Sequence, residues 1–322
     1  MDLVAITLTV LGLAFFETIT SIDNAIINAE VLSKMSERAR KWFLLWGIII
    51  AVFVVRGLLP GLIMMVANPA LGPVGVLTAM FSSDPAVAEA IEASSPILLM
   101  GGGVFLVFLF FHWLFLEPKR FGLPGEGFIK SQGVWFFAVV SVFLTAVTWF
   151  SINQHPMVAF GAVVGSTAFF IVHGFKQNAE IAEKEMLGAE SGKAAGMSDL
   201  SKLLYLEVID ATFSVDGVVG AFAFTLMIPL ILIGNGIGAF VVREFTIRNI
   251  ENVKRYVFLK NGAMYSILVL GGIMILDAFG FHIPAWLSPI ATFAIVGFFF
   301  WKSLVHLKNS KPDAEVRSTG HQ

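Results

Sequence analysis

Five carboxylates stand where carboxylates are costly. Glu17, Asp23, Glu207, Asp210 and Asp216 fall in or beside long apolar stretches, and a charge held within a bilayer costs about 3 kcal/mol even on lenient insertion scales. Two of the stretches share a phrase. One reads Glu17-Thr-Ile-Thr-Ser21-Ile-Asp23-Asn24, the other Asp210-Ala-Thr-Phe-Ser214-Val-Asp216-Gly217. On an unbroken helix Glu17, Ser21 and Asn24 share a face, as do Glu207, Asp210 and Ser214, whereas Asp23 and Asp216 point elsewhere. For each set to converge, the helix must unwind near Ser-x-Asp, which would also free backbone carbonyls as ligands where they line a cavity. Carboxylates, amides, hydroxyls and carbonyls are hard oxygen donors suited to Mn²⁺, Mg²⁺ or Ca²⁺. The chain has no Cys, which argues against Cu(I) and zinc–thiolate chemistry. Glu17, Asp23, Asn24, Asp210 and Asp216 are therefore the expected ion ligands, with Ser21, Ser214, Glu207 and Asn235 behind them. Arg56 and Arg243, the two basic residues left inside spans once those at the connections are assigned, are the expected counter-charges and gate latches. Five acids against two arginines leave three negative charges, which a divalent cation and a proton would neutralise. Protonation of one acid, its pKa raised by burial and like charges, would then drive release.

The elements that must hold these residues are membrane helices. Of 322 residues 57% are hydrophobic and 14% charged, Phe alone contributes 32, and the mean hydropathy is +0.83; soluble domains are about a quarter charged. At about 20 apolar residues per crossing, nine spans are predicted: Leu3–Glu30, Trp42–Ala67, Pro96–Leu116, Gly133–Asn153, Pro156–Phe175, Leu203–Met227, Pro229–Asn249, Val257–Phe279 and Pro284–Leu304. The first apolar run, Val4 to Phe16, lacks a basic flank and a small-residue cleavage site and is expected to stay as a mature helix. Lys and Arg gather in alternate connections: Lys34 to Lys41, Lys119 to Lys130, Lys176 to Lys202, Arg248 to Lys260 and Lys302 to Arg317. The positive-inside rule then places the N-terminus outside and the C-terminus inside. His112 and His173 are expected as separate interfacial histidines, and Glu117, Glu180 and Glu183 as a solvated inner face. Asp277 and His282 sit near the outer edge. The Gly101–Gly103 and Gly271–Gly272 runs are read as close helix packing.

The phrase shared by spans one and six is followed in each next span by Phe-Val-Val-Arg, at Phe53–Arg56 and Phe240–Arg243. With span one running inward and span six outward, the repeats are inverted, a construction common in secondary transporters with the site near the midplane. The expected fold is thus an all-α polytopic bundle of about nine transmembrane helices with two inverted three-helix repeats. Residues 1–116 form the first repeat, with an outer loop at 68–95 whose small-residue-rich stretch Pro69–Ser95 is expected to hold an interfacial helix or two. Residues 117–202 form a linking segment with two helices and a cytoplasmic loop at 176–202. Residues 203–280 form the second repeat, and 281–322 the last helix and cytoplasmic tail.

Several motifs resemble the TerC family of integral membrane proteins, named for tellurite resistance, within the wider group of LysE-like and manganese-exporter proteins. They are Ser21-Ile-Asp23-Asn24, Glu207-Val-Ile-Asp210-Ala-Thr-Phe-Ser-Val-Asp216, the Asn235 to Arg243 helix, and Phe258-Leu-Lys260-Asn-Gly262 at the start of the next span. Gly217-Val-Val-Gly220 stands where that family has a Ser and a Pro-Ala. The resemblance implies export of manganese, or a related divalent cation, from a bacterial cytoplasm across the cell (inner) membrane. The expected partners are the lipid bilayer and the cation as substrate; no prosthetic group and no nucleic acid are expected. An enzyme is not expected either, because no nucleophile–base pair, metalloprotease spacing or phosphate loop is found. The alternatives are a non-transporting membrane scaffold for stress response, docking proteins on the 176–202 segment, and a LysE-like exporter of an organic solute. The acids would then serve as structural glue with Arg56, Arg243 and Asn235.

Overall fold

The computed structural model describes residues 3–22, 36–47, 58, 65, 72, 74–75, 85–188, 203, 212 and 214–310. Every regular element among them is helical: α1 (Leu3–Thr20), α2 (Glu37–Trp42, followed by a wide turn Phe43–Gly47), α3 (Pro85–Phe115), α4 (Glu126–Ser131), α5 (Phe136–Ile152), α6 (Pro156–Gly188), α7 (Val215–Ala221), α8 (Ile228–Lys254), α9 (Leu259–Ala278) and α10 (Leu287–Ser310). Six stretches are long and apolar enough to cross a membrane: Leu3–Thr20, Ser94–Phe115, Gly133–Ile152, Pro156–Asn178, Leu259–Ala278 and Leu287–Asn309. The chain is a multi-pass membrane protein.

The helix α3 is the axis. Its spanning stretch is 72% buried, against 17% for Gly133–Ile152, so α3 has protein neighbours on nearly all sides and α5 is peripheral. It packs against α6 and α9, while α1 packs against α8. These contacts rest on small residues that let backbones approach. A Cβ on Gly165 would collide with the carbonyl oxygen of Gly101, and one on Gly103 would lie 2.8 Å from that of Gly271. The close-packing expectation thus holds for Gly101, Gly103 and Gly271; nothing lies within 4 Å of a Cβ on Gly272.

Four expected boundaries are corrected. The third span lies at Ser94–Phe115 as expected, but the helix that carries it begins at Pro85, with Pro96 inside it. The Ala-rich stretch before Pro96 is made of strong helix formers, so the end of the expected outer loop is helical. The fifth helix continues through Gly188, about 50 Å at 1.5 Å per residue, so the expected loop at 176–202 begins later. The sixth span, expected over Leu203–Met227 with a break near Ser214, contains the short helix α7, after which the backbone tightens. Phe222, Ala223 and Phe224 donate to the carbonyls of Val219, Gly220 and Ala221. Gly217 and Gly220 weaken helix propagation there, and the freed carbonyl of Ala223 accepts from Ser288 Oγ at 2.5 Å. Of the seventh helix, which runs from Ile228 to Lys254 past the expected Asn249, the apolar part among the described residues is Ile228–Val242. The second expected span, Trp42–Ala67, lies mostly outside the described residues.

Candidate functional site

The site begins with one carboxylate. Glu17, near the end of α1, is fully buried, and its Oε1 accepts from Ser21 Oγ at 2.5 Å. The regular helix stops at Thr20 and Ser21 occupies a turn, with its N–H still donating to the Glu17 carbonyl at 3.1 Å; the expected break at Ser-x-Asp reaches beyond the described residues, which end here at Ile22. In the second half Ser214 also occupies a turn, immediately before α7. Glu17 is enclosed by residues that lack side chains. A Cβ on Gly217 would lie 2.8 Å from Glu17 Oε2, and one on Gly238 of α8 would lie 2.6 Å from Glu17 Cβ. Gly234 meets Leu13 one turn earlier, so Gly234-Asn-Gly-Ile-Gly238 is a small-xxx-small seam against α1. The mismatch between Asn24 and Gly217 in the repeated phrase has a steric reason: the acid of one half leans on the backbone of the other.

Beside Gly217 stands Asp216. Its Oδ2 pairs with the Lys176 ammonium from α6, while its Oδ1 is buried with no hydrogen-bond partner among the described residues. Spacing missed Lys176, which was assigned to a cytoplasmic loop; the signal was its position within one turn of the end of the fifth apolar run. Asn235, flanking the α1–α8 seam, is fully buried, and neither its Oδ1 nor its Nδ2 has a partner among the described residues. An amide left so costs about 2–7 kcal/mol. Glu17, Ser21, Asp216 and Asn235 thus supply hard donors along the α1–α7–α8 contact.

Asp23, Asn24, Glu207, Asp210 and Arg56 lie outside the described residues, as does the Arg243 side chain on α8. Among the described residues no cluster of three or more His, Asp or Glu side chains is arranged to hold a metal. Replacing Gly217 by Ala should push the Glu17 carboxylate aside, because the group met is the far end of a flexible side chain. The expected result is weakened Mn²⁺ binding with a melting temperature within a few degrees of the parent, read by titration calorimetry and thermal unfolding.

A second polar centre lies at the end of the bundle where the basic connections converge. Lys119 donates to the carbonyls of Trp113 and Leu114 at 2.9 and 2.6 Å, Lys130 to that of Leu116 and Lys302 to that of Gly122. These cations satisfy carbonyls at and just beyond the C-terminus of α3. Burial lowers the Lys119 ammonium to about 8, against the pull of Glu126 and Glu117. Glu117 is not simply solvated: it bridges His112 at 3.6 Å and Lys260 at 3.0 Å. Burial pushes its carboxyl up, but His112 and Lys260 together outweigh that and hold it at about 2. The two histidines expected separately lie against each other, ring centroids 4.0 Å apart and planes tilted by 55°.

Glu126 is the functional-looking residue that spacing missed. It is 1% exposed and accepts from the backbone N–H groups of Gly122 and Leu123 at 2.8 and 2.9 Å, from Asn261 Nδ2 at 3.2 Å and from the Tyr265 hydroxyl at 3.0 Å. The available signal was Asn261 and Tyr265 four apart on one face of α9, two polar side chains on an apolar helix with no partner nearby in sequence. Its two oxygens already accept four hydrogen bonds, so Glu126 organises the turn rather than offering a ligand position.

Residues 22–310 match the family described as "Protein of unknown function (DUF475)". The chain belongs to the DUF475 family. No curated protein and no solved structure matches it. The match includes Asp216, Asn235, Lys176 and Glu126, and starts just after the turn at Ser21.

Proposed function

We propose that this DUF475 protein is a transporter, working as an exporter, of a divalent metal cation across a bacterial cell membrane. Manganese is the first candidate, calcium and magnesium the alternatives. The carrying observation is the fully buried Glu17 carboxylate leaning on Gly217 beside Asp216, because it joins the acid of one repeated phrase to that of the other. Asn235, buried and unsatisfied among the described residues, supports a site that takes a ligand. The resemblance of the acidic phrases to the TerC family supports the choice of ion and the direction. In this reading nine spans carry two inverted repeats, with the N-terminus outside, and rocking of one repeat against the other exposes the acids alternately. Asp23, Asn24, Asp210 and Glu207 complete the ligand set, with Arg56 and Arg243 as counter-charges.

The test is cell manganese under metal stress. Cells expressing the intact chain should hold less manganese than cells without it. Asp216→Asn and Glu17→Gln should each slow efflux about tenfold or more, since removing one buried charge leaves its neighbours uncompensated. Unchanged manganese with the intact protein would overturn the transport reading, and parental efflux in both variants would overturn this site.

A further inference from the structure

We propose that Lys176 is a tethered stand-in for the transported cation, occupying Asp216 when the ion is absent and expelled when it binds. This rests on the transport reading above. The α6 helix that carries Lys176 packs mainly against α3 and α5, yet its ammonium reaches Asp216 on α7. The two side chains are 13% and 17% exposed, so the pair is largely withdrawn from water and is not a surface ion pair of little consequence. Asp216 thus has one oxygen held by a monovalent cation and another, Oδ1, buried and without a hydrogen-bond partner among the described residues.

A divalent cation takes several oxygen ligands at about 2.0–2.6 Å. An ammonium on the same carboxylate repels it across a few ångströms of a medium that screens the two cations poorly. Occupation of Asp216 by the ion, bidentate or through Oδ1, therefore weakens the Lys176 contact and drives the ammonium out. A lysine suits that exchange: it is a compact charge on a four-carbon stem, able to withdraw without backbone movement.

The reverse step gives the device its purpose. A carrier that returns without a counter-substrate must turn over empty, and bare acids within the bilayer oppose that. Five acids against Arg56 and Arg243 leave three negative charges; with Lys176 two remain. The ammonium takes the neutralising part that charge counting alone assigns to a proton.

The experiment uses the purified full-length protein in detergent, with Mn²⁺ binding read by titration calorimetry and folding checked by thermal unfolding. Lys176→Met should bind Mn²⁺ about tenfold or more tighter than the parent, since the competitor is gone, while net Mn²⁺ efflux from proteoliposomes into Mn²⁺-free buffer slows. Lys176→Arg should bind more weakly, because a guanidinium grips a carboxylate with two donors. Asp216→Asn should weaken binding in either background. If Lys176→Met leaves affinity unchanged or lowers it while Asp216→Asn weakens it, Lys176 is a structural link and the inference falls alone. If Asp216→Asn has no effect, the ion site itself falls. Should Lys176→Met not fold, Lys176→Arg decides, and an unchanged or increased affinity there overturns the inference.

Discussion

Gly165→Ala is expected to abolish a stably folded bundle, whereas Gly272→Ala leaves it intact or strengthens it. Alanine is the better helix former at any interior position by about 1 kcal/mol, so propensity alone favours both changes. Surroundings reverse the sign at one of them. A methyl group at 165 meets the carbonyl oxygen of Gly101, which is backbone of the central helix and cannot swing away. The α3–α6 seam must open, separating the contacts around Phe105, Phe108 and Phe169, whose rings interlock at 5.6–5.9 Å. A loss of about 3 kcal/mol or more follows from overpacking of this kind. At 272 the methyl group meets nothing within 4 Å. Thermal unfolding of the two proteins in the same detergent measures the difference, and equal melting temperatures would refute the seam.

Glu126→Ala is the second large effect. The change removes one acceptor group and strands four donors: two backbone N–H groups, the Asn261 amide and the Tyr265 hydroxyl. A buried donor left without its partner costs about 1–3 kcal/mol, and partial rehydration of the turn offsets some of that, so a loss of about 3–5 kcal/mol is expected. Glu126→Gln keeps one oxygen but turns an amide NH₂ toward donors, so it should fall between the parent and Glu126→Ala. Protease nicking within residues 117–132 should rise in the same order. A melting temperature for Glu126→Ala equal to that of the parent would show that the turn is held by the lysines at the end of α3 instead.

The contrast between Glu17 and Glu126 shows where sequence reading works. Glu17 announced itself because its phrase recurs and because an acid in an apolar run has few innocent explanations. Glu126 lies in a connection, where an acid is ordinary, and its partners come from α9, more than a hundred residues on. Lys176 was misplaced for a related reason. Charge ledgers assign every lysine beyond an apolar run to water, but the helix continues and the side chain turns back to Asp216. Span positions were legible from apolar length for the six crossing helices. Their ends were less so, since Pro96 mimics a helix start while the Ala-rich stretch before it carries the helix on. The interruption after Ala221 was hidden because Phe222, Ala223 and Phe224 are as apolar as a continuing span.

The glycine against which Glu17 rests carries one more consequence. At that point the two halves leave no room for a methyl group on Gly217, which would lie 2.8 Å from Glu17 Oε2, so the length of one side chain and the absence of the other form a single quantity of volume. Shortening position 17 to Asp while adding Ala at 217 should conserve that volume where either change alone does not. Positions 17 and 217 are thus a lock and its keyhole split between the two halves of one gene, and a drift in either is tolerated only with an answering drift in the other.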